Sequence, residues 1–122
     1  LEYQKDLLKK RQNNGQYFNS RLSNVPGLKI LKQKPNRLSA YWIYTVLVDE
    51  REQFVKHLGN NGIQSGIVHQ RNDLHPLYIE SKTKLPNLDY FARRMINIPV
   101  GWWLEKDQLK YVVEVIKKGW RN

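Results

Sequence analysis

Cysteine is absent from the 122 residues. That excludes a disulfide framework, a zinc–thiolate site and a thiol nucleophile, and it is compatible with a reducing, cytoplasmic setting. No apolar run approaches the roughly 20 residues a membrane helix needs, and nothing at Leu1 resembles a signal peptide. The seven glycines are scattered as turn residues, so there is no glycine-rich loop to cradle a phosphate. A GxSxG elbow is missing, Ser20, Ser23 and Ser39 have no base beside them, and Ser65 reads as part of a strand, so a hydrolytic triad finds no support. Without an EXXH or HEXXH helix, His69 and His75 do not match a usual metal-ligand spacing, and no metal is expected. Internal repeats and low-complexity stretches are also lacking.

What is present describes one globular domain over residues 1–122. Apolar residues make up 40% and charged residues 26%, and a domain of this length buries roughly two thirds of its unfolded surface. The net charge of +10 would suit nucleic acid or another polyanion. Its distribution argues otherwise: residues 1–37 hold 9 basic and 2 acidic residues, whereas residues 38–122 hold 12 and 9. The excess sits on one amphipathic helix and a loop, with no helix-turn-helix or RNP pattern. A solvated basic helix explains it better, and neither nucleic acid nor membrane is expected as a partner.

Leu1 to about Leu22 reads as a helix, because Tyr3, Leu7, Leu8, Tyr17, Phe18 and Leu22 recur at three- and four-residue spacing. Asn13-Asn14-Gly15 is its weak point, and Asn24-Val25-Pro26-Gly27 its stop. Leu28 to Arg37 reads as a loop with a short extended piece. Ala40 to Val48 is the strongest strand, nearly all β-branched or aromatic, which implies a central position. Asp49 with Glu52 fits a capping box for the next helix, which points Phe54 and Leu58 inward and ends at Gly59-Asn60-Asn61-Gly62. Its His57 reads as a surface residue. Ile63 to His69 is expected as a second strand and Leu74 to Leu85 as a loop or broken helix. A helix from about Leu88 to Arg94 should turn Leu88, Phe91 and Met95 inward. Ile96 to Val100 is a third strand, limited by Pro99 to an edge or an end. Glu105 to Lys118 closes the chain as a helix whose stripe is Leu109, Val112, Val113 and Ile116. The fold class is α/β, a small three-stranded sheet layered with helices and open on one side.

The richest polar cluster, His69-Gln70-Arg71-Asn72-Asp73-Leu74-His75, leaves the end of a strand, where α/β folds commonly bind ligands. Arg71 could take a phosphate in bidentate fashion and a histidine could bond a sugar hydroxyl. The alternative is a loop stapled by its own hydrogen bonds, with Asp73 capping a turn. Trp102-Trp103 and Tyr41-Trp42 read either as core or as interface, and Trp120 as packing back on the last helix.

Three stretches, "SAYWIYTVLVDEREQFVKHLGNNGIQSGIVHQRNDLHPLY", "LPNLDYFARRMINIPVGWW" and "LEKDQLKYVVEVIKKGW", together resemble the C-terminal small domain of DegT/DnrJ/StrS-type sugar aminotransferases. Where that family commonly reads "HYPxPLH", both histidines match, while Gln70, Arg71 and Asp73 replace its Tyr and two Pro. The resemblance implies a largely antiparallel sheet of a fold-type I enzyme. It implies pyridoxal phosphate in the full-length protein, held by a lysine in a large N-terminal domain, and transfer of an amino group from glutamate to a keto-sugar nucleotide by a homodimer. Residues 1–22 would then connect to that large domain. The chain alone would be inactive, with no catalytic, cofactor-binding or metal residue, and its part would be to line the substrate cleft. Carried over by position, His69 is the first substrate-cleft residue, with Arg71, Asn72 and His75 next. Related sugar dehydratases use the same scaffold. A stand-alone nucleotide-sugar binding module and a basic polyanion-binding protein are the other classes weighed.

Overall fold

A computed structural model describes residues 2–121, so the expected helix start at Leu1 lies outside the described residues. The elements are α1 (Glu2–Leu22), β1 (Leu28–Ile30), β2 (Tyr44–Val48), α2 (Arg51–Asn60), α3 (Pro86–Arg94), β3 (Met95–Ile98) and α4 (Lys106–Lys117), with two 3-10 turns at Asn72–Leu74 and Pro76–Ser81 between α2 and α3. The sheet is antiparallel throughout in the order β1-β2-β3, with Leu28 opposite Val48 and Tyr44 opposite Ile98.

Strand β2 is central because its side chains satisfy both faces. Tyr44, Val46 and Val48 are buried, while Thr45 and Leu47 alternate to the other side and are half-buried. The buried row joins Phe18 and Leu22 of α1, Phe54 and Leu58 of α2, and Leu109, Val112, Val113, Val115 and Ile116 of α4 in one contiguous core. Helix α3 packs against β2 instead of joining that layer. Helix α4 starts with a capping box, the Glu105 side chain bonding the backbone of the third helical residue and Gln108 returning the bond to the Glu105 N–H at 2.9 Å. Trp120, expected to pack back on the last helix, reaches α2 instead: its ring meets Phe54 edge-on with centroids 4.8 Å apart, and its Nε1 donates to the Asp49 carbonyl at 2.8 Å.

Helix α1 runs unbroken through Asn13-Asn14-Gly15. Asn14 is buried and donates from Nδ2 to the Gly101 carbonyl at 2.9 Å, and Gly15 lies against the ring of Tyr41. The polar pair therefore serves close packing and not a bend.

Several expectations are corrected. The capping box at Asp49 does not form: Glu50 occupies the cap with φ 52°, makes no side-chain cap bond, and the left-handed turn carries Asp49 out of reach. Ile63 to His69, Ser65 included, is not a strand, and only Gly66 bridges to Asn97 of β3. Its place in the sheet is taken by β1, the short extended piece expected between Leu28 and Arg37, which is long enough to pair with β2. Leu88 does not face inward, being 36% exposed. Met95 does face inward, as the first residue of β3. His57 is not a plain surface residue, since its Nε2 lies 2.8 Å from the Val115 carbonyl of α4.

Candidate functional site

The polar loop emerges where Gly66 leaves β3. Its N–H and carbonyl pair with Asn97 at 3.2 and 2.9 Å, and the chain then turns away exposed through Ile67 and Val68. His69 is exposed, with its imidazole tilted against the indole of Trp42 at 5.9 Å between ring centroids. Asn72 and His75 are also exposed. His75 accepts at Nδ1 from the Leu77 N–H at 3.3 Å, so its neutral ring carries hydrogen on Nε2 and presents a donor outward. The 3-10 turn at Asn72–Leu74 is closed by the His75 N–H on the Asn72 carbonyl.

Arg71 is placed differently from its neighbours. Its side chain is only 16% exposed, its Nε donates to Asp73 Oδ1 at 2.8 Å, Nη2 donates to Asp73 Oδ2, and Nη1 donates to Asp89 Oδ1 on α3. The bidentate fork fixes the loop internally, and the second carboxylate ties it to α3. The stapled-loop reading of this segment is therefore realised in part: Arg71 is the staple, and Asp73 engages it instead of capping the turn.

The loop and α3 enclose a cleft of about 430 Å³ whose lining includes His69, Arg71, His75, Ile67, Met95 and Arg51. Arg51, at the start of α2, was not among the residues the sequence singled out. It stands eighteen positions before His69 in a segment with no motif, and its hydrogen bonds to the end of α3 and the start of β3 bring it to the cleft. Its Nη1 donates to the Ala92 carbonyl at 2.5 Å and to the Met95 carbonyl at 3.3 Å. Beyond the cleft, Trp102 is half-buried and Trp103 exposed, with Arg11 lying 5.7 Å over the Trp103 ring. Tyr41 is core and Trp42 is exposed. Among the described residues no group of His, Asp and Glu could hold a metal ion.

The Arg71 guanidinium holds the Asp73 carboxyl below its ordinary value, chiefly by hydrogen bonding, and hydrogen bonds to Asp73 and Asp89 raise Arg71 in turn. A depressed carboxyl contributes stability at pH above its ordinary value of about 4, and loses it only as pH falls through the lowered value. The side-chain carboxyl carbon signal of Asp73 should therefore stay in its ionised position below the pH at which free carboxylates titrate. A titration of that signal at or above about pH 4 would show that the tie does not hold the loop.

The sequence profile of the DegT/DnrJ/EryC1/StrS aminotransferase family matches residues 1–117. The chain belongs to that family. A solved sugar aminotransferase, CalS13 from Micromonospora echinospora, superposes with a TM-score of 0.92 at 36% identity, covering 95% of this chain and 31% of that one. AtS13 from Actinomadura melliaura gives the same values. Among curated proteins, the dTDP-3-amino-3,4,6-trideoxy-alpha-D-glucose transaminase of Streptomyces venezuelae is 26% identical, over 81% of this chain and 27% of its own length. The GDP-perosamine synthase of Vibrio cholerae is 25% identical, over 96% of this chain and 34% of its own. The family member described here thus spans about a third of the length of these relatives, and it has the mixed α/β fold found within fold-type I sugar aminotransferases. No helix among the described residues is long and apolar enough to cross a membrane.

Proposed function

We propose that this chain is the C-terminal small domain of a pyridoxal-phosphate-dependent aminotransferase that moves an amino group from glutamate to a keto-sugar nucleotide. The observation that carries the reading is the 36% identity to a solved sugar aminotransferase across 95% of the chain. The domain's own contribution is the loop of His69, Arg71, Asn72 and His75, which lines the substrate cleft. His69 and His75 offer ring nitrogens suited to hydrogen-bonding sugar hydroxyls, while Arg71 acts as a positioning residue that holds the loop on α3.

Pyridoxal phosphate supplies an electron sink for the amino transfer when bound. The residues present here do not fit it: no lysine lines the cleft among the described residues. The cofactor would therefore be held by the remainder of a full-length protein, with α1 as the connection to it, and the 122-residue chain alone would be inactive. A homodimer is the assembly this reading favours, since exposed Leu74, Leu77, Tyr78 and Ile79 form an apolar rim beside the cleft. The reading is tested by assaying the full-length gene product, supplied with pyridoxal phosphate, for glutamate-dependent amination of keto-sugar nucleotides. Amination is the expected result, and a full-length protein that binds no cofactor and aminates none of them would overturn it.

A further inference from the structure

Two guanidinium groups line the cleft, and they differ in what remains of their binding capacity. Arg71 has Nε, Nη1 and Nη2 all engaged by two carboxylates, so its single positive charge faces two negative ones. An incoming anion would have to displace a carboxylate from a charge-assisted fork, against the repulsion of both. Arg51 is held in another way. Its Nη1 bridges the carbonyls of Ala92 and Met95, at the junction of α3 and β3. Those acceptors are neutral, so they orient the guanidinium without cancelling its charge. No carboxylate among the described residues pairs with it. Its Nε and Nη2 have no hydrogen-bond partner among the described residues, and together they form the planar edge that matches the two oxygens of an oxyanion. Arg51 is half-buried, beside Ile67, Leu74, Pro76 and Met95.

We infer that Arg51, and not Arg71, is the residue of this cleft that binds the oxyanion of the incoming ligand. The inference rests on the reading of the cleft as the substrate site. The ligand chemistry is a phosphate or carboxylate group gripped by two parallel N–H donors, with His69 and His75 left for neutral hydroxyls. Such a group could belong to the diphosphate of a nucleotide sugar or to the carboxylate of the amino donor.

Calorimetric titration of the full-length protein with inorganic pyrophosphate, and separately with glutarate, tests the assignment and tells the two sources apart. At least one of the two should bind the wild type. Arg51→Gln should weaken that probe about ten-fold or more through loss of the charged fork, and Arg51→Lys should fall between. Arg71→Lys, which keeps a cation facing both carboxylates, should weaken it less than Arg51→Gln does. Arg93→Gln, an exposed charge removal on α3, should have the smallest effect. Melting midpoints of each variant separate lost binding from lost folding, because Arg51 also bonds the end of α3. Wild-type affinity in a folded Arg51→Gln, a larger loss in Arg71→Lys, or no binding of either probe to the wild type would overturn the inference. The amino-transfer assay fails or succeeds independently, so Arg51-dependent binding without amination would reject only the proposed reaction.

Discussion

Gly15→Ala is expected to destabilise the protein by about 2 kcal/mol or more, although the same exchange inside a solvent-facing helix ordinarily stabilises by about 1 kcal/mol. A methyl group at Gly15 would stand 2.6 Å from Cδ2 of Tyr41 and closer still to Cγ. Those atoms are at the base of the ring, where rotation gives little relief. The ring cannot slide away either. Its hydroxyl accepts from Asn19 Nδ2 at 2.8 Å and from Gln33 Nε2 at 2.7 Å, and the Tyr41 N–H donates to Ser39 Oγ at 3.0 Å. Tyr41 already holds φ at 47°, a left-handed conformation that costs a non-glycine residue about 1–2 kcal/mol, so further distortion adds to existing strain. Gly59 on α2 is the control. An added methyl there meets nothing within 4 Å, and Gly59→Ala should raise stability by about 0.5–1 kcal/mol. Urea unfolding of both variants decides the point: equal, stabilising shifts would show that the Tyr41 contact does not constrain α1.

Phe54→Ala should cost about 3–5 kcal/mol, the range for emptying a large aromatic site in a closed core. Phe54 is fully buried and lies against Trp120. Trp120 is in turn fixed by its bond to the Asp49 carbonyl, so little can collapse into the space left by the ring. The void would open where α2, α4 and the residues after α4 meet. Val55, its neighbour in sequence, is 38% exposed, and Val55→Ala should change stability by no more than about 0.5 kcal/mol. A loss below about 1.5 kcal/mol for Phe54→Ala, read from urea midpoints at unchanged slope, would contradict this account of the core.

The strength of local signals decides how much of this architecture can be read from the chain. The run from Ala40 to Val48 announces a central strand, but only Tyr44–Val48 forms it, since Tyr41 turns left-handed and Trp42 is exposed; the stripe of α4 announces its packing face. Asp49 and Glu52 carry a capping pattern as well, yet Glu50 turns left-handed and defeats it, a backbone choice with no trace in residue type. The stretch after Ile63 has strand-like residues but leaves the sheet at Gly66, and three residues at Leu28 supply the missing edge. Within the cleft, His69, Arg71 and His75 are near neighbours in sequence and could be found together, whereas Asn72 of the same loop is exposed outside its lining. The carboxylate of Asp89 that engages Arg71, and Arg51 itself, come from other elements. Their part is visible only once the fold brings Asp89 to Arg71 and Arg51 to the carbonyls of Ala92 and Met95.

Amino transfer by the full-length protein, measured as kcat/KM for a keto-sugar nucleotide with glutamate as donor in the wild type and in His69→Ala, tests the central claim most directly. The account predicts glutamate-dependent amination in the wild type, and a fall of about ten-fold or more in kcat/KM for the sugar in the variant, with the 122-residue chain alone inactive. Undiminished kcat/KM in His69→Ala, or no amination by the wild type, would contradict it.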